Sequence, residues 1–163
     1  MLKRIIIHWT AGRCYPTDFE KKYYHYLIDK DGNITTGVYK PEDNEDCADG
    51  NYAAHTGGGN TGSVGVSFCG MYGFVSDSVC GYYPITRKQF EAGMNLVAQL
   101  CKKYNIPVSA KTVLTHYEFG QANPKTSSFG KIDIVYLPPY PWVKKRDIGS
   151  FIRSKVRWYL ERL

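Results

Sequence analysis

Arg4–Gly12 reads RIIIHWTAG, and the placement of this stretch decides the rest. Three consecutive isoleucines are β-branched, stiff about χ1, and suited to a strand buried on both faces. Leu2–His8 is therefore a predicted core strand. It ends in an imidazole. A histidine there is either a satisfied structural residue or a side chain delivered to a site at the sheet's edge, where loops gather. The second reading needs partners from elsewhere in the chain.

Working outward, YHYLIDKDGNITTGVY (Tyr24–Tyr39) reads as a hairpin with arms Tyr24–Asp29 and Asn33–Tyr39 and a turn on Lys30-Asp31-Gly32. Period-two alternation would put Tyr24, Tyr26 and Ile28 on one face, and His25 and Leu27 on the other, making His25 a core histidine. Glu42–Asp49 is an acidic, solvated loop without the ligand spacing of an EF-hand. HTGGGNTGS (His55–Ser63) is glycine-rich but lacks the Gly-Lys-Ser/Thr of a P-loop, and VGVSFCG after it is another strand. Thr86 and Gln89 form a capping box ahead of Phe90, Met94, Val97, Cys101 and Tyr104 at helical spacing. KTVLTH (Lys111–His116) is a short strand that again ends in histidine, and residues 120–145 read as loop. A second amphipathic helix, 147–163, puts Ile148, Phe151, Ile152, Tyr159, Leu160 and Leu163 on one face. This order predicts an α/β fold, a central mixed β-sheet flanked by helices, over 1–163 as a single domain.

Composition limits the function. A chain of 163 residues, 43% hydrophobic and 22% charged, can bury a core and is neither disordered nor a membrane span. The apolar run after MLKR is too short for a secretory signal, so synthesis in the cytoplasm is expected. The net charge is +6 and uneven: residues 131–163 hold eight Lys/Arg against three Asp/Glu. This basic tail is a candidate contact for an anionic wall or membrane surface, with a solvated helix face as the alternative. No nucleic-acid motif accompanies the charge, so no nucleic-acid partner is expected. The five cysteines form no CxxC pair; free thiols are expected, with a Cys69–Cys80 bridge as the alternative in an oxidising compartment.

Two of the four histidines, His8 and His116, follow strand-like runs. In GKIDIVYLP, Lys131 and Asp133 alternate with isoleucines, so an extended backbone points them to the same side. Two imidazoles and a carboxylate form a three-ligand zinc set with a fourth position open, and a nearby ammonium suits a developing oxyanion. Taken alone, a Lys/Asp pair in a loop is more often a surface ion pair.

IIIHWTAG, YHYLIDKDGNITTG, HTGGGNTGSVGVSFCG, TVLTHYE and GKID, in this order, resemble the zinc-dependent N-acetylmuramoyl-L-alanine amidases of the type 2 family, which share a fold with peptidoglycan recognition proteins; the length and the GKID ending are most similar to phage or prophage endolysins. The resemblance implies zinc (Zn2+) held by His8, His116 and Asp133, with Lys131 steadying the tetrahedral intermediate and Tyr24 lining the site. His55 and Asn60 fall in a loop that borders the substrate groove. Glu118 lies near the second histidine without matching a general base. Implied too are hydrolysis of the amide between N-acetylmuramic acid and L-alanine in bacterial peptidoglycan, action on the wall after release from the cytoplasm, and a monomer. The alternative is a non-catalytic peptidoglycan-binding module, whose members usually lack the third ligand.

Overall fold

The computed structural model describes residues 1–163. Five strands form one sheet: β1 (Arg4–Trp9), β2 (Tyr26–Ile28), β3 (Ile34–Thr36), β4 (Ser63–Phe68) and β5 (Val113–Thr115), in the order β3-β2-β4-β1-β5. The β2–β3 hairpin is antiparallel and the other pairings are parallel, which is the expected mixed sheet. Helices α1 (Arg87–Tyr104) and α3 (Ile148–Leu160) cover one face, while α2 (His116–Ala122) packs on β1 and β5 from the other.

The isoleucine run explains the layering. Alternation along β1 sends Ile5, Ile7 and Trp9 one way and Ile6 and His8 the other. The first three join Val64, Val66 and Phe68 of β4 in the main core beneath α1 and α3, where each fully buried isoleucine contributes about 1.5–3 kcal/mol. Ile6 meets Leu114 and Phe119 in a separate small cluster. Gly93 lets α1 sit close to the sheet, since a Cβ there would lie 2.4 Å from the Phe68 ring. The opposite face is polar at its centre, and all four histidines are buried there.

The predicted capping box starts α1: Thr86 Oγ1 accepts the Gln89 N–H and Gln89 Oε1 accepts the Thr86 N–H. At the other end Asn105 adopts a left-handed conformation (φ 54°) two residues before Pro107, which fits a helix stop. A second box was not anticipated. Thr115 and Glu118 cap α2 in the same reciprocal way, so His116 opens a helix rather than closing a strand, and the helix runs into the stretch expected as loop.

Two other expectations need correction. The hairpin arms are shorter than read, and because β2 begins only at Tyr26 the period-two pattern does not reach Tyr24. Tyr26 packs on the main core while Tyr24 faces a cavity on the polar side. On α3 the buried stripe is Ile148, Ile152 and Val156, whereas Leu163 lies beyond the helix and is exposed. Two cations of the basic tail are engaged within the fold: Arg153 pairs with Glu118, and Lys155 with Glu91. All five cysteines are free thiols.

Candidate metal centre and active site

Strand pairing brings the two histidines together. β5 lies beside β1 in parallel register, with Ile6 level with Leu114 and Ile7 with Thr115. The next step along each chain places His8 opposite His116. Their Nδ1 atoms are 3.2 Å apart. Asp133 completes the group: its Oδ2 is 3.0 Å from His8 Nδ1 and 3.2 Å from His116 Nδ1. The Asp133 backbone is held by the Tyr117 N–H, which donates to its carbonyl at 2.6 Å, so the first turn of α2 fixes both the second histidine and the carboxylate.

The surrounding hydrogen bonds assign the tautomers. His55 Nε2 faces the Ser63 carbonyl at 3.2 Å. A carbonyl only accepts, so this nitrogen carries the proton and His55 Nδ1 is the acceptor. It receives the Thr56 hydroxyl at 2.7 Å and faces His8 Nε2 at 3.1 Å, which makes His8 Nε2 a donor. Likewise, Ser128 Oγ donates to the Gly57 carbonyl at 2.7 Å and accepts from His116 Nε2 at 2.9 Å. Both Nδ1 lone pairs are thereby aimed at the Asp133 carboxylate. Hydrogen-bonding the far nitrogen is how metal-binding histidines are oriented. Gly65 makes the layer beneath fit, because a Cβ there would lie 2.5 Å from the His55 ring. His25 closes the layer, with Nδ1 accepting the Gly65 N–H and Nε2 donating to Asn44 Oδ1.

Protonation follows from burial. His8 is fully buried, and desolvation pushes its pKa down to about 4 despite the facing carboxylate. Burial raises Asp133 and the two facing histidine rings lower it, and the net direction is below its ordinary value. At neutral pH His8 is neutral and Asp133 ionised, the forms in which they ligate metals. Ligands about 2.0–2.1 Å from a tetrahedral zinc ion lie roughly 3.3 Å from one another. The observed 3.0–3.2 Å separations, with three convergent acceptors and no proton between them, fit such an ion.

The centre lies at the floor of a cleft of about 870 Å3 lined by Trp9, Tyr24, Phe74, His116, Lys131 and Asp133 among others. Tyr24 is half-buried with its ring 5.2 Å from that of His8, and burial raises its phenol pKa. Lys131 is exposed at the rim and makes no ion pair. His55 is part of the cleft wall but mainly supports His8 from behind. Asn60 lies outside this cleft; its Oδ1 accepts the Thr56 N–H and closes the glycine-rich loop. Glu118 is turned away from the centre, where its carboxylate caps α2 and forms a two-point pair with Arg153. Sequence reasoning missed Thr56 and Ser128. Thr56 at least adjoins a flagged histidine, whereas nothing in TSSFGK singles out Ser128.

The family described as N-acetylmuramoyl-L-alanine amidase matches residues 2–130. The chain belongs to this family. The match takes in His8 and His116 and stops just before Lys131 and Asp133. Peptidoglycan is thus the substrate class and amide hydrolysis the chemistry that membership supports. This amidase is similar in structure to a point mutant of PlyL, with 25% identity, 96% of this chain and 85% of that one covered, and a TM-score of 0.54. It shares its fold with the N-acetylmuramoyl-L-alanine amidase LysC from Clostridium intestinale (18% identity, 77% and 76% covered, TM-score 0.50). It shares it as well with the Ph2119 endolysin of a Thermus scotoductus bacteriophage (18% identity, 80% and 79% covered, TM-score 0.50). No curated protein matches the chain.

Proposed function

We propose that the chain is a zinc-dependent N-acetylmuramoyl-L-alanine amidase, with His8, His116 and Asp133 as the metal ligands and Lys131 and Tyr24 as catalytic residues. The observation that carries this reading is the convergence of three acceptors, His8 Nδ1, His116 Nδ1 and Asp133 Oδ2, on one point of an open cleft. When bound, Zn2+ supplies Lewis acidity, lowering the pKa of a coordinated water to about 7 and polarising the scissile carbonyl.

The chain's own groups account for the remaining steps. Thr56, His55 and Ser128 hold the two imidazoles in the tautomer that presents Nδ1. Attack on an amide carbonyl puts negative charge on its oxygen, and the Lys131 ammonium at the rim neutralises that charge. The leaving amine of L-alanine needs a proton. Tyr24 carries its hydroxyl proton at neutral pH, burial raising its pKa further, and it relays a proton to that nitrogen. The complete ligand set favours hydrolysis over a module that only binds the wall.

We further infer an endolysin role on the ordered motifs shared with phage amidases; no helix is long and apolar enough to cross a membrane. The test is digestion of purified sacculi with and without chelator, read by mass spectrometry. New L-alanine amino termini that vanish with chelator are expected, whereas new glycan ends, or release insensitive to chelator, contradict the reading. Lys131→Ala is expected to keep zinc and lose about 10²–10³ in turnover, the range for one oxyanion donor. Normal turnover in that variant removes the oxyanion role.

A further inference from the structure

One polar atom beside the metal centre has no partner. Ser67 is fully buried on β4, and its Oγ neither donates nor accepts a hydrogen bond. No other buried side-chain nitrogen or oxygen in the chain is left in this way. Folds keep few such groups, because a hydroxyl taken out of water without a bond destabilises the protein. Alternation along β4 sends Val64, Val66 and Phe68 into the main core, so Ser63, Gly65 and Ser67 face the polar side. Ser63 Oγ accepts from Arg4 Nε at 2.6 Å, and Gly65 makes room for the His55 ring. Ser67 comes last in this row, level with His8 on β1 and with Leu27 on β2. On the same face the His8 ring packs against that of Tyr24 at 5.2 Å. Burial raises the Tyr24 phenol, and the facing Ser67 hydroxyl opposes that rise. The two groups are therefore neighbours, yet no hydrogen bond closes between them.

We propose that Ser67 is the positioning residue for Tyr24, its free hydroxyl donating to the phenol oxygen as Tyr24 passes its proton to the leaving nitrogen. The proposal rests on the amidase reading above and adds what orients its proton donor. In that step the attacking water forms the C–O bond and the C–N bond to L-alanine breaks. The phenol proton goes to the nitrogen, the O–H electron pair stays on the Tyr24 oxygen, and the proton shed by the water returns there. The Tyr24 oxygen carries negative charge only in between. A hydrogen bond to a charged oxygen is stronger than one to a neutral phenol, and catalytic bonds of this kind tighten when substrate is seated. Ser67 thus acts on the transition state more than on the bound ground state, which is the condition for raising kcat. Its hydroxyl needs no other bond broken first. The burial that makes it a liability for stability also keeps competing water from it.

The test is a double-mutant cycle on the intact, zinc-supplemented protein, with soluble peptidoglycan fragments that carry the stem peptide as substrate. Ser67→Ala is expected to lower kcat about 10–100-fold with KM and zinc content unchanged. Its Tm is expected to stay level or rise, since alanine removes a buried hydroxyl that has no bond. Ser67→Thr, which keeps the hydroxyl, recovers most of the loss. In a Tyr24→Phe background Ser67→Ala costs nothing further, because the group it acts through is gone. Should Ser67→Ala misfold, Ser67→Cys carries the same comparison with a similar shape and a weaker donor. Unchanged kcat in Ser67→Ala, an equal loss in both backgrounds, or a loss that falls on KM or zinc content overturns the proposal. Lost turnover in Tyr24→Phe with an unaffected Ser67→Ala refutes the role of Ser67 alone. Full turnover in Tyr24→Phe, or no L-alanine termini from the unaltered protein, refutes the reading beneath it and this role together.

Discussion

Replacing Arg153 by methionine separates the architecture of the site from its chemistry. Arg153 is 8% exposed. Its guanidinium donates to the Val113 carbonyl at 3.0 Å and to both Glu118 oxygens at 3.1 Å, tying α3 to β5 and to the first turn of α2. Methionine fills much of the volume but leaves a carbonyl and a carboxylate without their partner. Breaking a buried pair from one side costs about 3–5 kcal/mol. The Glu118 side chain retains 27% exposure and still accepts the Thr115 N–H, so the lower end, about 3 kcal/mol, applies. For a chain of this size each kcal/mol lowers Tm by about 2–4 °C, giving a fall of roughly 6–12 °C in a calorimetric or circular-dichroism melt. Zinc content and turnover at 25 °C are expected to persist in the folded protein, and likewise in Glu118→Gln, whose amide oxygen can still cap the helix. A Tm within about 2 °C of the unaltered protein refutes the structural argument. Zinc retained with turnover abolished in Glu118→Gln places Glu118 in the chemistry instead.

Two further outcomes follow from the hydrogen bonds around the centre. Ser128→Ala removes the acceptor for His116 Nε2–H and is expected to weaken zinc affinity about 10–100-fold, read by competition with a chromophoric chelator; unchanged affinity means the tautomer is set elsewhere. Burial pushes His25 down to about 4, whereas an unfolded histidine titrates near 6.5. Between those values the unfolded chain binds more protons, so stability is full above about pH 6.5 and falls as pH drops towards 4, by about 3 kcal/mol from this group. Denaturant melts across pH 4–7 with His25→Gln as control test this, and an equal slope in both proteins excludes His25 as its source.

The sequence shows most clearly what depends on local pattern. Ile5–Ile7 declare a buried strand, and Thr86 with Gln89 declares the start of α1, since both signals lie within a few residues. The convergence of His8 and His116 is of another kind. It depends on β5 adding in parallel beside β1, a pairing across 108 residues that no local spacing encodes. The misreadings have physical causes too. Alternation reaches Tyr24 only if the strand does, and the strand begins at Tyr26; Thr115-x-x-Glu118 overlaps the end of a strand-like run, so the cap and the strand end compete for the same residues. Ser128 and Thr56 matter through an imidazole's far nitrogen, and that relation exists only after folding. The basic tail looked free in sequence, yet Arg153 and Lys155 are bound by Glu118 and Glu91.

Metal content measured by plasma mass spectrometry, after dialysis against trace zinc, tests the central claim directly. The account predicts about one zinc ion per unaltered chain and almost none in Asp133→Ala, with hydrolysis of sacculi lost in step. A chain that takes up no zinc, or an Asp133→Ala protein that stays fully loaded, contradicts it.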